Sequence, residues 1–363
     1  MTTPLAKLLI QRIRATGPIT LADFMSDALG HPRYGYYTRF RTSTDPFGAQ
    51  GDFITAPEVS QVFGELIGLW TIDFWQRLGN DAPLHLVELG PGRGTMMLDM
   101  IRVITRRSEF QNNLTVHLVE TSPLLQSIQR QHLEKCSVPL MWYESLAQVP
   151  GVPCVFIANE FIDALPRRQF QYQKGAWREV MVGLTHDENL TLGLVPGITP
   201  MAKFLPENAK DNDIVEWCPA AVTMVEEMAR RLNQFSGAAL FIDYGYMHPS
   251  FQSTVQALQN HRAVNILADP GLVDISAHVD FMNLVDMGKA KGLKVYGPVT
   301  QGEFLKRLGI EVRCDHLIKA VPEKAEVVQE GVTRLIDPAQ MGTLFKVLAY
   351  TIGAAPHPAG FQD

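Results

Sequence analysis

Leu84-His-Leu-Val-Glu-Leu-Gly-Pro-Gly-Arg-Gly-Thr95 decides the fold. Leu84, Leu86, Val87 and Leu89 make this a buried strand, which breaks at glycines 90, 92 and 94 and leads into a helix running to about residue 106. Glycines at such a junction let the backbone turn sharply and approach a ligand closely, with the N-terminus of the next helix facing it. Three glycine loops compete for this pattern. A phosphate-binding P-loop requires Gly-Lys-Ser/Thr, and none follows. The dinucleotide fingerprint G-x-G-x-x-G fails at its last position, where Thr95 stands. What remains is E-x-G-x-G-x-G, either a ligand-binding turn or a tight strand–helix turn without a ligand.

Working outward, strands alternate with helices. Thr115–Val119 reads as a second strand, followed by a helix from Ser122 or Pro123 to about 134. Pro139–Tyr143, Cys154–Ala158 and Ala238–Asp243 read as further strands, and Leu344–Thr351 as a late one. Uninterrupted apolar strands interleaved with helices predict a mostly parallel sheet covered on both faces. Arg168–Gln173, Arg178–Gly183 and Leu190–Val195 alternate apolar and polar residues, so residues 167–235 read as an inserted antiparallel meander followed by a helix near 219–235. Ahead of the first strand, helices are expected at 4–16, 21–29 and 59–78, with a long loop from His31 to Pro57. The expected division is therefore a helical cap with a substrate-side loop over residues 1–80, then the sheet domain over 81–363. Trp70 and Trp75 on the 59–78 helix are open to two readings, core packing or a homodimer contact.

Bulk properties narrow the functions. Thirty-two basic and 38 acidic residues leave a net charge of −6, so no global positive field draws the chain to nucleic acid or anionic lipid. The four cysteines stand singly, which favours buried thiols over disulfides. No apolar run is long enough to span a membrane, and the N-terminus lacks the pattern of a signal or transit peptide, so the expected location is the cytoplasm. G-x-S-x-G and H-E-x-x-H are both absent, and the histidines are isolated, so neither a serine hydrolase nor a metal site is expected.

Three polar clusters remain. Glu120 ends the second strand, where the crevice of a parallel sheet would present a ribose; the long spacing from Gly94 is absorbed by the loop Arg107–Leu114. Asn159-Glu-Phe-Ile-Asp-Ala-Leu-Pro166 ends another strand and offers Glu160 and Asp163, though Asn159 and Asp163 are equally good helix caps. Gln50–Val59 and Asp269–Phe281 add Asp52, Thr55, Glu58, Asp274, His278 and Asp280, where loop and cap roles compete with chemistry.

The glycine motif resembles the first motif of class I S-adenosyl-L-methionine (SAM) methyltransferases. Gly51-Asp-Phe-Ile-Thr-Ala-Pro-Glu-Val-Ser-Gln-Val-Phe-Gly-Glu65, Asn159–Pro166, Asp243-Tyr-Gly-Tyr246, Asp269–Phe281 and Met341–Val347 extend the likeness through nearly the whole chain. In that order they resemble the MidA-like family, which includes a mitochondrial assembly factor of respiratory complex I. Thr343 stands where the family often has Asn. The resemblance implies a Rossmann-like, seven-stranded class I fold with SAM as cofactor. It also implies methylation of a protein arginine, with a complex I (NADH dehydrogenase) subunit as partner. Donor binding is then expected at Glu88, Gly90, Pro91, Gly92, Gly94, Glu120, Asn159, Asp52 and Thr55. Catalysis is expected at Glu160, Asp163 and His278, with Glu58 and Asp280 as further members. Two alternatives stay open: a small-molecule methyltransferase, and a non-catalytic SAM-binding assembly chaperone.

Overall fold

The computed structural model describes residues 3–38, 55–79, 83–259 and 262–362. The chain divides into two compact units. One is assembled from residues 54–162, 224–247 and 279–363, the other from residues 1–53, 163–223 and 248–278.

The first unit holds the large sheet. Its strands are β1 (Leu84–Leu89), β2 (Leu114–Val119), β3 (Leu140–Tyr143), β4 (Cys154–Asn159), β5 (Gly237–Tyr246), β6 (Lys294–Thr300) and β7 (Phe345–Thr351). They lie in the order β3-β2-β1-β4-β5-β7-β6, and an eighth strand of two residues, Val279–Asp280, pairs with the end of β5. β3, β2, β1, β4 and β5 are mutually parallel, while β7 runs antiparallel to both β5 and β6. The sheet is thus mixed α/β, as the alternating sequence pattern predicts. β4 is buried at every residue, the signature of a strand covered on both faces. β6 and the helices Ile310–Ala320 and Ala325–Ile336 were not expected; β6 carries mostly half-exposed side chains and a Gly-Pro pair, which hide its period.

Because β1 is flanked by β2 on one side and β4 on the other, the strand order reverses there, and a crevice opens at the carboxyl ends. Helix α1 (Gln61–Arg77) packs on α2 (Thr95–Ile104), the helix that leaves the glycine turn. The two come unusually close: a Cβ on Gly64 would lie 2.7 Å from Asp99 Cβ, and one on Gly68 2.6 Å from Val103 Cγ2. The expected 59–78 helix is in fact broken. Ala56–Val59 forms a single turn, Ser60 is extended and accepts from Val62 N–H at 3.3 Å, and α1 starts at Gln61. Trp70 and Trp75 are 1% and 2% exposed, so both belong to the core and the homodimer reading loses its basis.

The second unit is antiparallel. Arg168–Gln173, Ala176–Leu184 and Leu190–Leu194 form the expected meander, extended by Ile19–Thr20 and Ile214–Trp217. A further three-stranded sheet, Gln256–Gln259 between Arg262–Val264 and Asp274–Ser276, arises where the sequence reads as loop. Helices Pro4–Thr16 and Leu21–Gly30 bury Leu5, Leu9, Ile13, Phe24 and Met25 against Val182, Val273 and Ile275.

Candidate functional site

The sheet unit gathers most of the expected donor-side residues at the carboxyl ends of β1, β2 and β4. Gly90, Gly92 and Gly94 have φ of 61°, 54° and 83°, the left-handed region that side chains disfavour. Gly90 also has no room for one, since its Cβ would lie 2.6 Å from the Phe161 ring. Gly90 N–H donates to Val119 O and Gly94 N–H to Pro91 O, which closes the turn into α2. The strand-to-turn-to-helix reading of residues 84–104 is therefore what folds.

Glu88 and Glu120 flank this turn, both buried. Burial pushes the Glu88 carboxyl up to about 8, and its Oε2 has no hydrogen-bond partner among the described residues. Glu120 is also raised by burial, to about 7, against the opposing pull of N–H groups at Ser122, Gln129 and Thr121. Its Oε1 accepts from Ser122 N–H at 2.8 Å and its Oε2 from Gln129 Nε2 at 3.4 Å. Asn159, 8% exposed at the end of β4, donates to Glu160 Oε1 at 3.3 Å, while its Oδ1 lacks a partner among the described residues.

A SAM molecule presents a ribose diol, an α-ammonium group and a sulfonium, all of which prefer acceptors. Two orphaned buried oxygens, a buried carboxylate one strand over and a turn closed to side chains match that demand. The residues present fit the donor.

Glu160 follows directly, held in a left-handed backbone at φ 49°, a conformation that costs of order 1–3 kcal/mol for a non-glycine residue and needs support. Asp243, 1% exposed, supplies it: Oδ2 accepts from Phe161 and Ile162 N–H at 3.2 and 2.9 Å, and Oδ1 from Tyr244 N–H at 2.9 Å. Glu160 N–H donates to Ile242 O, and Glu160 Oε1 accepts from Ala56 N–H at 2.8 Å. The turn that begins after Thr55 is pinned at its other end by Glu58, which accepts the Thr95 hydroxyl at 2.6 Å and Arg93 Nη1 at 3.4 Å. Thr55 occupies the cap position without a side-chain cap bond. Asp280 caps the helix Phe281–Ala290 through Asn283 N–H. Asp52 lies outside the described residues.

Asp163 and His278 belong to the other unit. There Asp163 O accepts from Ala277 N–H at 3.0 Å, and His278 N–H donates to Thr254 Oγ1 at 3.0 Å. Thr254 is in turn gripped by Glu216, whose carboxylate accepts the Thr254 hydroxyl at 2.5 Å, its N–H at 2.8 Å, and Gln169 Nε2 at 3.1 Å. Tyr37 OH donates to Asp274 at 3.1 Å, and burial together with Asp274 and Asp163 holds this phenol well above its ordinary pKa. Among the described residues no group of three His, Cys, Asp or Glu side chains is placed to hold a metal ion.

Asp243, Gln129, Glu216 and Thr254 escape motif reading as site residues. Gln129 carried a signal: it sits at i+4 from Leu125 and i−4 from Leu133, a polar residue on a buried helical stripe.

A family model for S-adenosyl-L-methionine-dependent methyltransferases matches residues 66–299. A human relative named protein arginine methyltransferase NDUFAF7, mitochondrial, is 37% identical over 373 residues, covering 96% of this chain and 83% of that protein. The Xenopus tropicalis protein of the same name is 36% identical, covering 93% of this chain and 83% of its own. A Burkholderia thailandensis crystal structure bound to S-adenosyl-homocysteine superposes with a TM-score of 0.86 at 26% identity, covering 98% of this chain and 93% of that one. Glycine turn, acceptor-rich crevice and full-length similarity lead to one assignment: the chain belongs to the MidA-like family of SAM-dependent methyltransferases.

Proposed function

We propose that this methyltransferase modifies arginine side chains of a protein, with a respiratory complex I subunit as the acceptor that the family resemblance implies. One observation carries the reading: similarity over nearly the whole chain to relatives named protein arginine methyltransferase. We also read the sheet as a seven-stranded class I core, to which Val279–Asp280 adds an accessory pairing.

The bound donor supplies an electrophilic methyl group on a sulfonium; the chain's own residues supply placement. Gly90, Pro91, Gly92 and Gly94 keep the crevice open, Glu120 receives the ribose hydroxyls, and Glu88 and Asn159 offer acceptors to the ammonium. A cation beside Glu88 favours its ionised form, which burial alone disfavours. Methyl transfer needs little covalent help, so orientation and electrostatics provide most of the acceleration. A guanidinium, with pKa above ~12, must be oriented and lose a proton before its nitrogen attacks. Carboxylates suit that task because they bind its fork bidentately and localise charge away from the attacking nitrogen. The carboxylate candidates are Glu160 in the sheet unit and Asp163 in the other, with His278 as a further polar candidate, each to be substituted singly.

The test is peptide mass spectrometry of complex I subunits from cells lacking the gene, complemented with the wild-type chain or with Gly92→Val. Methylarginine lost on deletion and restored by the wild type alone supports the reading. An unchanged methylarginine inventory, with SAM still bound by the purified protein, sinks the arginine assignment.

A further inference from the structure

Glu120 needs a fixed direction if it is to receive a ribose, and a carboxylate at a strand end has none of its own. One oxygen is held by Ser122 N–H at 2.8 Å. The other faces Gln129, a residue of α3 (Pro123–His132) whose side chain is completely buried.

A glutamine amide can be turned end for end with almost no change of shape, so shape alone does not fix which end faces where. Here chemistry fixes it. The third neighbour is the Trp142 indole on β3, 3.0 Å from Gln129 Oε1. An indole N–H donates and never accepts, so the atom facing it must be the amide oxygen. The two amide hydrogens are then committed to the remaining partners, Gly92 O at 2.7 Å and Glu120 Oε2 at 3.4 Å. Every polar atom of this buried side chain is satisfied in that one orientation. With the amide reversed, its oxygen would face a carbonyl and a carboxylate, and its N–H2 would face the indole N–H. Arg130, stacked 3.9 Å over the Trp142 ring, holds the indole in place from the solvent side. Three residues on from Gln129, His132 Nδ1 lies 3.1 Å from Arg93 O, so the same helix meets the glycine turn a second time.

We propose that Gln129 is a positioning residue of the donor site, its amide locked by Trp142 so that one side chain sets both the Gly92 carbonyl and the Glu120 carboxylate. The assignment rests on reading Glu120 as the ribose acceptor and goes beyond it, since neither Gln129 nor Trp142 has to touch the donor. Trp142 thereby acts on affinity from one residue further away, through a single N–H.

The experiment is calorimetric titration of the full chain with S-adenosyl-homocysteine and with its 2′-deoxy analogue. Wild type, Glu120→Gln, Gln129→Leu, Trp142→Phe and the Gln129→Leu/Trp142→Phe double variant are compared. The wild type should prefer the 2′-hydroxyl ligand by tenfold or more, and Glu120→Gln should erase that preference. Gln129→Leu should shrink the preference at least fivefold and Trp142→Phe about threefold. The double variant should match Gln129→Leu within twofold, because both act through one amide. Should Gln129→Leu fail to fold, Trp142→Phe still decides, since it removes the N–H and keeps an aromatic ring, and the comparison of the two ligands separates that loss from a change in packing. Equal weakening towards both ligands means a merely structural role and overturns the proposal, as does a double variant whose losses add. If Glu120→Gln discriminates like the wild type, the ribose reading itself falls and the Gln129 assignment falls with it. If Glu120→Gln loses discrimination while the Gln129 and Trp142 variants keep it, only the assignment falls.

Discussion

The glycine turn after β1 and the Thr254–His278 corner of the second unit each fix a backbone at a candidate site, by opposite means. The turn does so chiefly within seven consecutive residues, through φ angles that only glycine adopts cheaply, with a steric limit added from outside by Phe161. The corner needs three segments: Glu216 holds Thr254, and Thr254 holds the amide of His278. Local constraint is written in residue type, whereas distributed constraint is written in partners far along the chain.

The sharpest way to break the comparison is Gly92→Val. A β-branched residue at φ 54° is strained wherever it sits, and here it also intrudes where the donor is proposed to bind. S-adenosyl-homocysteine affinity should fall at least about 1,000-fold, about 4 kcal/mol. Calorimetry showing near-normal affinity in a folded variant would remove the donor from this turn.

The distributed side is probed by Glu216→Ala. It strips an acceptor from the Thr254 hydroxyl, two backbone N–H groups and Gln169, with a cost of roughly 2–3 kcal/mol. Chemical denaturation should register this loss while S-adenosyl-homocysteine affinity stays within twofold of wild type. A variant as stable as the parent would mean the corner is held by something other than Glu216.

The same contrast explains what was legible beforehand. Parallel strands 84–89, 114–119 and 154–159 announce themselves by short runs rich in apolar residues, and the glycine turn by its spacing, so the class of fold is legible in the sequence and the proposed donor end is located there. The meander at 168–194 is legible through its two-residue period. Gln256–Ser276 is not, because its three short strands are separated by a stretch rich in Asn, Asp, Pro and Gly that reads as loop. The approach of α1 to α2 at Gly64 and Gly68 is hidden as well, since glycine inside a helix reads as weak propensity until the partner helix is known. Asp243 was visible as part of a motif, but its task, supporting the left-handed Glu160 from another strand, exists only in three dimensions. Ser60, too, is an ordinary serine until the chain is seen to restart its helix there.

A third prediction turns on Glu88, where local sequence and burial conspire. Its carboxyl is raised from 4.5 to about 8 by desolvation, so the folded state holds the proton more tightly than the unfolded one. Stability from the neutral form is fully present below pH 4.5 and is lost as pH rises through 8. Glu88→Gln stays neutral and escapes that loss. In thermal melts of the ligand-free chains from pH 5 to 9, the variant should gain on the wild type by up to about 1.4 kcal/mol per pH unit, levelling off above pH 8. Saturating S-adenosyl-homocysteine should shrink the gain, because its ammonium favours the ionised Glu88 and the variant cannot respond. Parallel melting curves at every pH would show that Glu88 is not the buried acid described.

The smallest effect isolates the comparison most cleanly. Gly175, in the two-residue turn between strands 168–173 and 176–184, has φ of 76°, the same backbone region as the glycine turn after β1, yet a Cβ there would meet nothing within 4 Å. Gly175→Ala should therefore cost about 1 kcal/mol in denaturant, the price of a left-handed alanine, and leave S-adenosyl-homocysteine affinity unchanged. Gly90→Ala adds the same backbone penalty to a Cβ placed 2.6 Å from the Phe161 ring, so its excess loss measures what the crowded turn demands beyond conformation. If the two variants lose equal stability and neither loses affinity, the glycines after β1 serve the chain's path alone, and their spacing says nothing about a donor.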